Sequence, residues 1–152
     1  MGEKNPVAHT YSQIYNIVDR VTDLDPEFAH AYRAGGITLS VLSDNIDQSN
    51  ALLEKGIRNN VRDWNIPFLL SFNHFYHLND YLKAAYYIDK ASQMEGSPSY
   101  FPFLAASFYK KGGDPQTAIL FLKGLYLETQ DETMKEKIAD RIAEIEKEIA
   151  SR

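Results

Sequence analysis

The sequence predicts an all-α protein built as a stack of antiparallel helix pairs. Three observations carry this. Apolar residues recur with a period near 3.6, clusters of Gly, Pro, Asn and Asp punctuate them, and the apolar frame repeats at offsets of 34 and 35 residues. The middle unit, residues 64–98, shows all three: two amphipathic helices flank a polar corner at Leu78-Asn79-Asp80. Runs such as Phe68-Leu69-Leu70 sit inside longer helical patterns, so no strand is expected.

The elements follow in order. Residues 1–9 read as a loose arm and 10–152 as a single domain, with a first helix at about 10–23 through Ile14, Ile17, Val18 and Val21. Asp25-Pro26 then reads as an N-cap followed by proline at the first helical position, opening a helix to about Leu42. Gly35-Gly36 inside it costs about 1 kcal/mol per glycine relative to alanine, which close approach of a neighbouring helix would offset. Ser43-Asp44-Asn45 turns the chain into a helix at about 46–59. Asp63 is expected to cap a helix at about 64–78, with Pro67 tolerated in its first turn. Asp80 caps a helix at about 81–94, Ser99 one at about 99–111, and Asp114-Pro115 one at about 115–128. The last helix, about 132–150, puts Met134, Ile138, Ile142, Ile145 and Ile149 on one stripe and charges elsewhere, as a capping helix would.

Length and composition fit one soluble-type domain: 152 residues, 44% apolar and 24% charged. Ten Tyr and eight Phe can fill helix contacts or line a recognition surface. A net charge of −5 argues against nucleic acid or anionic lipid as the partner. The absence of cysteine removes disulfides and Cys-ligated metals. No stretch approaches the ~20 apolar residues of a membrane span, so direct membrane insertion is not expected. Residues 1–6 lack the apolar run of a signal peptide; a cytoplasmic location is favoured, with a periplasmic one open if a leader or anchor has been lost.

The repeat is explicit in the second helices. Ala84, Ile88 and Ala91 match Ala118, Leu122 and Leu125 at an offset of 34, while Ser49, Leu53 and Gly56, then Ile14, Val18 and Val21, match at offsets of 35. Each set is a small or apolar residue, an apolar one four later, and another three after that.

This pattern resembles the tetratricopeptide repeat, a 34-residue helix-turn-helix unit. Tyr32, Gly36 and Leu39, then Phe68, Phe72 and Phe75, then Phe101 or Pro102, Ala106 and Tyr109 are matched to its first-helix positions, and Leu24-Asp25-Pro26 to its ending. The resemblance spans residues 10–149 and implies a right-handed superhelical stack, a TPR-like α-solenoid. Its parts would be a half repeat at about 10–25, repeats at about 26–63, 64–98 and 99–130, and a capping helix at about 131–150. Phe72 departs from the pattern by filling a position usually held by Gly or Ala, which implies wider helix spacing there. Ser49 replaces alanine and Val61 stands where proline is usual.

In that family the first helices line a concave groove that binds a peptide or helix. Carried over, the groove residues are His30, Arg33 and Ile37; Leu69, Asn73, Tyr76 and His77; and Phe103, Ser107, Lys110 and Lys111. Asn73 would bond a peptide backbone, Tyr76 and Phe103 would offer rings, and Arg33, Lys110 and Lys111 would attract acidic groups. Against this, Tyr76 and Phe103 could be core, and Lys110-Lys111 a solvated helix end. Leu69 and Ile37 stand where the family's carboxylate clamp needs Lys and Asn, so that binding mode is disfavoured. The variant Asn73→Ala/Tyr76→Ala is expected to lose partner binding with melting nearly unchanged.

Other chemistry finds little support. His74, His77 and Asp80 share a spacing of three that could hold a metal, but Asp80 is needed as a cap and no fourth ligand follows, so a solvated or core-edge histidine is the better reading. There is no phosphate loop, nucleophile motif or isolated carboxylate pair, and no basic stripe for nucleic acid. The expected function is a non-catalytic protein-interaction scaffold without cofactor or metal. A self-associating homo-oligomer is the alternative, and a metal- or ligand-responsive regulatory module the lesser one.

Overall fold

Eight helices and no strand make up the described residues, 13–59 and 61–152, of the computed structural model. They are α1 (Ile14–Leu24), α2 (Ala29–Ile37), α3 (Ile46–Arg58), α4 (Asn65–Phe72), α5 (Tyr81–Ser92), α6 (Phe101–Lys111), α7 (Pro115–Glu128) and α8 (Glu132–Ala150). Two of them run on into π-helical turns, α2 through Thr38–Leu42 and α4 through Asn73–His77. The expected start of the first helix at residues 10–12 and the N-terminal arm lie outside the described residues.

Side-chain caps set half of the starts. Asn45, Asp80, Asp114 and Asp131 each accept a hydrogen bond from the backbone N–H three residues on. Pro115 occupies the first position of α7, as read from the sequence. Three expected caps are not N-caps. Asp63 stands one residue before Trp64, the N-cap of α4, which has no side-chain cap; its carboxylate accepts from the backbone N–H and the side-chain amide of Asn65 at 2.9 and 2.8 Å. Asp25-Pro26 does not open α2; the backbone N–H of Phe28 donates to the Asp25 carbonyl and the Tyr32 hydroxyl donates to the Pro26 carbonyl at 2.9 Å, which holds the segment as a turn until Ala29. Ser99 lies in a turn before α6, which begins at Phe101 with no side-chain cap.

Packing runs mainly between neighbours in the chain: α2 on α3, α5 on α6, α6 on α7, α7 on α8. Contacts also join α1 to α3 and α2 to α4. The interior is accordingly three local cores. One centres on Tyr32, Leu39, Leu52, Leu53, Ile66 and Leu70; a second on Ile88, Phe101 and Phe108; a third on Ala106, Leu122, Ile138 and Ile145. Gly35 and Gly36 sit where a Cβ would come within 2.6 Å of Leu52 and 2.8 Å of Leu53, so the close approach expected of them is met. Among the described residues no helix is long and apolar enough to cross a membrane.

The corners explain the repeat lengths. α6 ends with Gly113 at φ 89°, with the Asp114 N–H reaching the Tyr109 carbonyl and the Gly113 N–H the Lys110 carbonyl, a Schellman closure. After α2 and α4 the equivalent closures are one residue wider. The Asn45 N–H reaches back to Leu39 and the Asp80 N–H to His74, around Asp44 and Asn79 at φ 51°. One extra residue in each of the first two corners makes the period 35 there and 34 afterwards.

That insertion corrects the frame at Phe72. Counting by 35, the small residues of the first helices are Gly36, Ser71 and Ala106, and all three are buried. Ser71 is the one in contact: its hydroxyl donates to the Ala84 carbonyl at 2.8 Å, at the place where the Ser49 hydroxyl donates to the Gly36 carbonyl at 2.8 Å. Phe72 therefore does not wedge the helices apart; it faces outward. Val61, where proline is usual, is buried in the first core.

Candidate functional site

A π-turn at the end of a helix rotates the following side chains relative to an α-helical continuation, because the extra residue widens the turn. In α4 that turn carries Asn-His-Phe-Tyr-His, five residues able to bond or stack. It directs them to different places. Asn73 and His74 point inward and are buried, Phe75 packs on Phe108 of α6 at 5.0 Å, and Tyr76 is 65% exposed.

On the outer side, Phe72, Tyr76 and His77 form one ring cluster. The Phe72 and Tyr76 rings stack at 5.3 Å with an interplanar angle of 11°. His77 meets them edge-on at 6.0 and 5.0 Å. One repeat earlier, at the same offset of 35, Ile37 and Val41 take the positions of Phe72 and Tyr76, and both are exposed. Two adjacent first helices thus present an apolar strip of matched residues. The sequence reading found Tyr76, His77 and Ile37 but missed Phe72 and Val41. The recurrence of exposed apolar residues at an offset of 35 was the signal, and it is visible only once the inserted residue is counted.

The other predicted groove residues are dispersed in role. His30 is exposed, its ring 6.2 Å from that of Phe28. Leu69 packs, half-buried, on the first core, and Phe103 on the third. The Ser107 hydroxyl donates to the Phe103 carbonyl of its own helix. The cations already have partners within the chain. Arg33 Nε lies 3.2 Å from Asp63, Lys110 Nζ 3.0 Å from Glu148, and Lys111 Nζ 4.7 Å from the centre of the Tyr81 ring.

Asn73 is a correction. It is 1% exposed, and its amide donates to Ser49 Oγ at 3.0 Å and to Asn50 Oδ1 at 2.9 Å. With Ser49 in turn donating to Gly36, the chain of bonds ties α2, α3 and the end of α4 together. The N–H groups expected to meet a peptide backbone are turned into the fold.

His74 is neither solvated nor at the edge of the core. It occupies the position held by Leu39 one repeat earlier and is buried, stacked on Tyr87 at 5.5 Å and 14°. Neither ring nitrogen has a hydrogen-bond partner among the described residues. Burial pushes its pKa below 6.5, against the pull of Asp80 and Glu54 and with the help of Lys83. The Tyr87 hydroxyl, which donates to Glu54 at 3.3 Å, is pushed up to about 12 by burial and that carboxylate. Asp80 remains a cap, and among the described residues no three His, Asp or Glu side chains converge as a metal cage.

Comparison with family models, with curated proteins and with solved structures returns no match to this chain.

Proposed function

We propose that this chain is a divergent tetratricopeptide-like, right-handed superhelical stack that acts as a non-catalytic protein-interaction scaffold. Its docking surface is the outer strip of α2 and α4. The observation that carries the reading is the ring cluster Phe72–Tyr76–His77, in which Phe72 and Tyr76 are exposed and take the same repeat positions as the exposed Ile37 and Val41. The neighbour-by-neighbour helix packing and the recurring corners support the stacked architecture. Rigid rings lose little conformational entropy on binding and bury a large area, which suits them to anchor a peptide or helix.

With the cations already paired in the chain, the strip favours an apolar segment over an acidic tail. The test is affinity recovery from the native host with the native chain and with Tyr76→Ala/Val41→Ser. Both positions are exposed, so helicity and melting should stay within about 0.5 kcal/mol of the native chain. Loss of one specific partner with melting retained supports the reading, and undiminished recovery rejects it.

A further inference from the structure

Between successive second helices the frame sets an acidic residue opposite one fixed position three times. The acids are Asp19 on α1, Glu54 on α3 and Asp89 on α5, each 35 residues after the last. The positions opposite are Lys55 on α3, Lys90 on α5 and Gly124 on α7, at offsets of 35 and then 34. In the first two grooves the chain supplies its own lysine and a donor for the acid. Lys55 Nζ donates to Asp19 at 2.8 Å and also to Asp23. Lys90 lies over the Tyr86 ring at 5.8 Å from its centre, and Glu54 accepts from the Tyr87 hydroxyl at 3.3 Å.

In the third groove both suppliers are gone. Phe121 stands in the place of Tyr87 and Gly124 in that of Lys90, so neither side chain can donate to Asp89. The half-buried Asp89 carboxylate accepts only from Gln93, at 3.1 Å, and is in no ion pair among the described residues. Glycine is a poor helix former, and packing does not demand one at 124: a Cβ there meets no atom within 4 Å, unlike those at Gly35 and Gly36. What it leaves is a groove of about 560 Å³ lined from α5, α6 and α7, with Leu120, Phe121 and Pro102 as apolar wall. Glu128, one turn beyond Gly124, adds a second carboxylate that is in no ion pair among the described residues.

We infer that this groove takes a lysine side chain from a partner peptide, its ammonium on Asp89 and its alkyl chain over Gly124. The chain's own Lys55 on Asp19 shows the chemistry that fits the position. Lysine methylenes cover apolar surface while the charged head meets the acid, and a partly buried carboxylate is screened less by salt than an exposed one. Apolar neighbours of that lysine would rest on Leu120 and Phe121. The site is separate from the strip on α2 and α4 and requires no partner in common with it.

Titrating the isotopically labelled intact chain with two capped tripeptides, Leu-Lys-Leu and Leu-norleucine-Leu, tests it through amide shifts. The lysine peptide should bind saturably at about 1–10 mM and shift Asp89, Gly124 and Glu128. The norleucine peptide, of equal length without the charge, should bind more than about fivefold more weakly, and Asp89→Asn should erase that preference. Gly124→Ala should bind as the native chain does, because the groove has room for a methyl group. Gly124→Lys should lose binding, because the chain's own lysine then fills the place that Lys55 fills in the first groove. No saturable shift at those three residues overturns the inference, and so does equal binding of the two peptides. Native-like binding by Gly124→Lys, or a preference for lysine that survives Asp89→Asn, overturns it as well.

Discussion

His74 is a polar ring in a leucine's place, and its environment gives the protein a pH response. Its pKa is lowered on folding, so the unfolded chain takes up the proton first. The stability it allows is present above about pH 6.5 and is lost as the pH falls from there toward the lowered folded value. Urea midpoints at neutral and mildly acidic pH should show this loss, and His74→Leu should remove that part of the slope. The same change removes two unpartnered buried nitrogens and should stabilise the chain by about 1 kcal/mol at neutral pH. Asn73 behaves oppositely. Asn73→Ala leaves Asn50 Oδ1 without its donor inside the fold and should cost about 2–3 kcal/mol in denaturant melts. The Asn73→Ala/Tyr76→Ala pair would therefore melt early for a reason unrelated to binding, which is why Val41 replaces Asn73 in the proposed test.

At the scale of elements, the sequence was most legible where a side chain does a local job. Asp80 and Asp114 cap the helices they were expected to open, and the last two helices keep their expected bounds. Legibility failed where backbone and tertiary contacts decide. Nothing in Thr-Leu-Ser-Val-Leu or Asn-His-Phe-Tyr-His announces a π-turn, yet the residue it inserts moved Phe72 from an apparent core position to the surface and Ser71 into the contact. Asp25-Pro26 looked like a helix start, but the Tyr32 hydroxyl made a better partner for the Pro26 carbonyl. Two predictions belong here. Asn79, in the left-handed region, should tolerate Gly almost neutrally, whereas Asn79→Val should cost about 1–2 kcal/mol. Gly35→Ala forces a methyl group against both Leu52 and the stiff Val18, and should destabilise by about 1–2 kcal/mol in thermal melts despite the better helix propensity of alanine.

For the whole molecule, three small cores joined in series imply stability carried by neighbour contacts, and surfaces that differ from one unit to the next. The all-helical fold was readable from periodicity and offsets alone. The candidate site was readable only in part, because the exposure of Tyr76 and the burial of Asn73 both follow from the inserted turn residue. The central claim is that a partner docks on the outer strip of α2 and α4, and hydrogen exchange of the chain with and without its recovered partner tests it most directly. Binding there should slow exchange at residues 37–42 and 72–77 and leave α7 and α8 unchanged. Protection that appears elsewhere while those two segments exchange as in the free chain would contradict the claim.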